Sequence, residues 1–153
     1  AHAKPQISAA ISGQAREQYL RSRERSYAVA EWVNAHVPVS ARILSDGEVR
    51  FFYFKPVLVR EYVWRIFSPY PYELESPKLL AMYLKERGFT HVLIAEDLKA
   101  APPSPRPEHR AVLKDLAKDP ESFKLLYENG FDSGNEKVQY RLYAILPAGE
   151  EGK

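Results

Sequence analysis

At 153 residues, with 45% hydrophobic and 27% charged side chains, the chain matches a single globular core and excludes disordered and fibrous classes. Its 22 basic and 20 acidic residues leave a net charge of +2, too weak a field to recruit nucleic acid, and the absence of cysteine removes disulfides, thiolate metal sites and cysteine nucleophiles. No run approaches the ~20 apolar residues that cross a bilayer, and the start shows no basic-then-apolar signal.

The chain opens Ala1-His2-Ala3-Lys4-Pro5, and the lack of an initiator Met is read as excision from a longer polypeptide. Residues 1–13 form a lead-in, 14–146 a single α/β domain and 147–153 a tail. Residues 14–36 contain neither Pro nor Gly and predict one long helix. Tyr19, Leu20, Tyr27, Ala30, Val33 and Val37 make its apolar stripe, with Arg16, Glu17, Arg21, Glu24, Arg25 and Glu31 mostly on the other face. Pro38 ends it.

Residues 41–45 predict a short buried strand, since Ile43 and Leu44 run straight into Ser45, Asp46 and Gly47. Residues 48–54 fit either a strand, from their aromatic content, or a short helix capped by Asp46. Residues 56–59 predict a strand. Residues 62–75 place Trp64, Phe67, Tyr70 and Tyr72 around Pro69 and Pro71 and predict an aromatic loop.

Ser76 and Pro77 then start a helix with Leu79, Leu80, Tyr83 and Leu84 on one face and Gly88 at its stop. Residues 90–95, Thr-His-Val-Leu-Ile-Ala, have the unbroken apolar character of a strand covered on both faces. A proline-rich loop (101–107) leads to a second helical stretch at 108–118. Two final strands, 123–128 and 138–146, pair antiparallel around an Asn129-Gly130 turn. The order implies a three-layer, Rossmann-like α/β fold: a mixed sheet with a parallel centre and an antiparallel hairpin at its C-terminal end.

Several residues carry a family pattern. They are Tyr19-Leu20, Arg23, Tyr27, Ala30, Trp32-Val33-Asn34, Pro38, Ala41-Arg42-Ile43-Leu44 and Gly47-Glu48, and then Phe52-Tyr53 and Pro56-Val57. The pattern continues through Leu84-Lys85-Glu86-Arg87-Gly88, Thr90-His91-Val92-Leu93-Ile94 and Tyr140-Arg141-Leu142-Tyr143. The whole resembles the region just after the last membrane helix of bacterial integral-membrane glycosyltransferases, a family similar to the protein mannosyltransferases and the aminoarabinose lipid A transferases. The resemblance implies polyprenyl-phosphate sugar donors, an extracytoplasmic (periplasmic) location, and catalytic acids in a membrane domain outside this sequence. It also favours a short helix at 48–54. The partner expected on this basis is the membrane domain of the same polypeptide, with lipid-linked sugar or acceptor beyond it; no catalytic residue, metal or cofactor is assigned to these 153 residues.

The sharpest local feature is the set of carboxylates after the parallel strands: Asp46 and Glu48, beside Gly47, and Glu96 and Asp97. Ligands of open α/β sheets bind beyond strand carboxyl ends, so this set fits a polar ligand or cation, although helix caps and solvated loops are the commoner use of such residues. Arg16, Arg21, Arg23 and Arg25, with Tyr19 and Tyr27, fit lipid phosphates near a membrane exit, or a solvated helix face laced with Glu17 and Glu24. Trp64 and Tyr70, with Phe67 and Tyr72, fit a saccharide platform or a lid on the core. His2, His36, His91 and His109 lie too far apart for helical metal-ligand spacing, and the glycine-rich phosphate motifs and nucleophile elbows are absent.

Overall fold

The computed structural model describes residues 13–47, 49–61, 76–99, 113 and 115–147, without the side chains of 21–23. Helices α1 (Gly13–Arg23) and α2 (Tyr27–His36) precede strand β1 (Arg42–Asp46), a 3₁₀ turn (Phe51–Tyr53) and β2 (Val57–Arg60). Helix α3 (Pro77–Glu86), β3 (His91–Asp97), a 3₁₀ turn (Leu116–Lys118), β4 (Phe123–Asp132) and β5 (Lys137–Ile145) follow. The strands form one five-stranded sheet in the order β2-β1-β3-β5-β4, parallel from β2 to β3 and antiparallel across β5 and β4.

Alternation along each strand sends successive side chains to opposite faces. Ile43, Leu93, Ala95, Tyr140 and Leu142 thus meet Val29, Ala30 and Val33 of α2 in one core cluster. Leu44, Val92 and Tyr143 meet Leu80, Ala81 and Leu84 of α3 in another. Both faces of the central strands are covered, which is why β3 carries the unbroken apolar run at 92–95 and β1 buries Ile43 and Leu44 together. The chain is therefore a three-layer mixed α/β domain, as its sequence implies.

Helix α3 follows its sequence signals closely. Ser76 Oγ accepts a hydrogen bond from the Leu79 amide at 3.2 Å, Pro77 occupies the first turn, and Gly88, at φ +84°, ends the helix. Leu79 itself is exposed, so the buried stripe is Leu80, Ala81 and Leu84.

Three expectations need correction. The helix predicted over 14–36 is broken at Glu24–Ser26: α1 lies largely in solvent, Tyr19 included, and only α2 packs on the sheet. At the break the Tyr27 amide donates to the Glu24 carbonyl at 3.1 Å in place of the i to i−4 ladder, and the Ser26 hydroxyl accepts from the Arg50 amide at 2.9 Å and lies 3.4 Å from the Tyr140 hydroxyl. Asn129 and Gly130 are strand residues paired with Tyr140 and Gln139, not a turn. The chain reverses at 133–136, where the Gly134 amide donates to Asp132 Oδ1 at 2.9 Å. Of the helix predicted over 108–118, the described part holds the 3₁₀ turn Leu116–Lys118, with Leu116 buried under Phe123 and Tyr143 in the second cluster. The aromatic loop at 62–75 and the proline-rich loop at 101–107 lie outside the described residues.

Candidate functional site

The carboxyl ends of β1 and β3 are adjacent, with Asp46 in register with Ile94. Asp46 is buried, whereas Glu96 and Asp97 are exposed. Glu96 lies two residues past that register, about 7 Å farther along the strand. Strand alternation puts Asp46 and Glu96 on the α3 side of the sheet and Asp97 on the α2 side. The predicted carboxylates therefore share one end of the sheet, but only Asp46 and Glu96 share a face, and Asp97 lies on the opposite one. Glu48 lies outside the described residues.

Each exposed carboxylate is engaged within the fold. Glu96 accepts from Arg141 Nη1 at 3.1 Å, and Arg141 Nε also donates to Glu128 at 2.8 Å, tying three adjacent strands together. Asp97 Oδ1 accepts from the Lys99 amide at 3.0 Å. Among the described residues, no three His, Asp or Glu side chains gather closely enough to hold a metal ion. Gly47 acts through its backbone, bringing the exit of β1 against the Ala95 carbonyl at a φ of +92°.

The basic row of the first helical region is divided by the break. Arg16 is exposed on α1 and close enough to Tyr53 for its charge to favour the phenolate. Arg25 is buried and meets Glu136 of the β4–β5 turn at 3.6 Å, so it faces the fold rather than solvent. The side chains of Arg21 and Arg23 are not among those described. His36 stacks on Trp32 with centroids 4.4 Å apart, and His91 begins β3, its Nδ1 2.7 Å from the Thr90 hydroxyl. His2, His109, Trp64, Phe67, Tyr70 and Tyr72 lie outside the described residues.

Sequence reasoning passed over the surface around the 3₁₀ turn. Asn34 brackets that turn to α2: its Nδ2 donates to the Tyr53 carbonyl at 2.9 Å and its Oδ1 accepts from the Lys55 amide at 2.7 Å. Tyr27 and Tyr53 meet edge to face with centroids 5.4 Å apart, and an open groove of about 300 Å³ runs between Tyr27, Glu31, Asn34, Tyr53 and Lys55. Burial raises the Tyr53 phenol above its ordinary pKa and the Glu24 carboxylate pushes the same way, against Arg50 and Arg16. Phe51 and Phe52 stand exposed beside the groove. A signal was present in the sequence, since residues 49–60 hold three cations and no acid.

Fold and surface together define a three-layer α/β domain with a mixed sheet. Among the described residues, no helix is long and apolar enough to cross a membrane. No family model, curated protein or solved structure matches the chain.

Proposed function

We propose that the chain is an accessory extracytoplasmic domain of a polyprenyl-phosphate-sugar-dependent membrane glycosyltransferase, packing on the membrane part of the same polypeptide and shaping acceptor access without carrying out transfer. One observation supports the reading: many of the apolar residues in the family pattern are spent on packing, although Tyr19, Phe52 and Val57 stand exposed. Ala30 and Val33, Ile43 and Leu44, Val92 and Leu93, and Tyr140, Leu142 and Tyr143 all lie in the two core clusters. The polar groups of the same segments go to brackets and ion pairs, as with Asn34 and Arg141. Such a domain contributes shape and attachment, and leaves the reaction to acids elsewhere.

The coding sequence upstream of Ala1 tests this directly. A row of apolar spans of ~20 residues running up to it supports the reading; a start codon immediately before Ala1 ends it. Sugar transfer from a polyprenyl-phosphate donor by these 153 residues alone would equally remove the accessory role.

A second reading, a free-standing α/β module that binds a small polar ligand or cation, draws on the burial of Asp46 at a parallel strand end beside Gly47. Calorimetric titration with divalent cations and simple sugars decides it. Heat that disappears in Asp46→Asn and Asp97→Asn supports it, and unchanged titrations dispose of it.

A further inference from the structure

The 3₁₀ turn Phe51–Tyr53 holds two phenylalanines where folding gives them little cover: Phe51 is 50% and Phe52 66% exposed. Their rings adjoin, with centroids 6.5 Å apart, and Phe52 continues onto Tyr53 at 4.5 Å. The Arg60 guanidinium, from the end of the edge strand β2, lies 4.7 Å from the centre of the Phe51 ring. Lys55 is exposed just beyond the turn. Arg50, the third cation of the segment, is matched by Glu24 at 2.6 Å; among the described residues neither Lys55 nor Arg60 has an ion pair.

The chemistry of this patch is specific. Adjacent exposed aromatic rings expel water from one another poorly unless something apolar covers them. A cation seated on a ring face is held at the level of that ring, so whatever accepts the phenylalanines also receives the charge. With no acid between Val49 and Arg60, nothing in the segment repels an anionic surface. Aromatic rings at the boundary between apolar and polar layers, with cations at the same depth, are the arrangement by which proteins seat on the headgroup region of an anionic bilayer.

We propose that the Phe51–Tyr53 turn is a bilayer-contact element, with Phe51 and Phe52 entering the headgroup–acyl boundary of an anionic membrane while Lys55 and Arg60 meet lipid phosphates. The inference stands on residues 49–60 and does not need the accessory-domain reading. An upstream sequence without membrane spans would end that reading and leave this one intact.

The test is co-sedimentation of the 153-residue chain with phosphatidylcholine vesicles, with and without phosphatidylglycerol, at low and high salt. The expected result is binding that requires the anionic lipid and weakens with salt. Phe52→Ser lowers the partition coefficient by about tenfold or more, and Arg60→Gln by about fivefold. Because Phe52 is exposed, its variants keep the wild-type circular dichroism and urea midpoint, and Phe52→Trp adds to the Trp32 and Trp64 background a blue-shifted emission on anionic vesicles. Absence of binding by the folded chain overturns the proposal, as does binding indifferent to Phe52→Ser. Concentration-dependent dimerisation that Phe52→Ser abolishes, with no vesicle binding, also overturns it by assigning the patch to a second copy of the chain.

Discussion

Gly47 and Ala95 fix how closely β1 leaves the sheet beside β3: a β-carbon on Gly47 would lie 2.1 Å from the Ala95 carbonyl oxygen and 3.1 Å from its β-carbon. The first atom is backbone in a central strand and has no rotamer to escape into. Gly47 also sits at φ +92°, where side chains other than glycine's are strained. Gly47→Ala therefore combines backbone strain with overpacking and is expected to cost about 2–4 kcal/mol. Gly88 supplies the control: its φ is +84° but a β-carbon there meets nothing within 4 Å. Gly88→Ala should cost only about 1 kcal/mol, from strain alone. Urea midpoints of the two variants check the difference, and equal losses would refute the role given to Ala95.

Ser26 links three elements through one hydroxyl, and its relative exposure is 0%. Ser26→Ala leaves the Arg50 amide without its acceptor and removes one partner of the Tyr140 hydroxyl, which Arg25 also meets, an expected loss of about 1–3 kcal/mol. Tyr140→Phe removes the other hydroxyl. If the two side chains act together, the double variant loses less than the sum of the single losses, as a double-mutant cycle in urea would measure. Strict additivity would show that Ser26 acts through Arg50 alone.

This bracket also shows why some of the fold was legible in the sequence and some was not. The strands β1 and β3 and helix α3 were readable because their signals are local: Ile43 and Leu44 running into turn residues, an apolar run of strand length at 92–95, a Ser-Pro start and a glycine stop. The break between α1 and α2 was not. Ser26 continues a helical pattern acceptably, and the partners that hold its hydroxyl at the break lie 24 and 114 residues away, beyond the reach of any local pattern. Asn129-Gly130 misled for the opposite reason. That dipeptide has strong turn chemistry, but pairing with Gln139 and Tyr140 across β5 outweighs it, and Asp132 with Gly134 supplies the turn instead. At the candidate site, the sequence placed Asp46, Glu96 and Asp97 at one end of the sheet. It could not reveal that Arg141, from the fifth strand, would claim Glu96.

Arg141 joins Glu96 and Glu128 across β3, β5 and β4, yet all three side chains are a third or more exposed. Solvent screens such pairs, so the network is expected to contribute no more than about 1 kcal/mol. Arg141→Met should shift the urea midpoint slightly in low salt, and the shift should shrink at ionic strengths where the Debye length falls to about 3 Å. A large loss that salt does not touch would mean that the arginine stem, rather than its charge, supports the sheet.

His91 gives the domain a built-in sensitivity to mild acid. Burial at the start of β3 lowers its pKa below the ordinary value of 6.5, so the folded chain holds the imidazole neutral at a pH where the unfolded chain already protonates it. Between 6.5 and the lower folded value the unfolded state binds more protons, and stability falls as pH falls through that window. Below the folded value both states are protonated and the loss stops growing. His91→Gln removes the titration while leaving a polar side chain beside Thr90. Urea unfolding of wild type and variant on either side of pH 6.5 is the check: the gap between their midpoints should narrow, or invert in favour of the variant, on the acid side. A gap that does not change with pH would mean that the ring is hydrated enough in the fold to titrate as it does in the open chain.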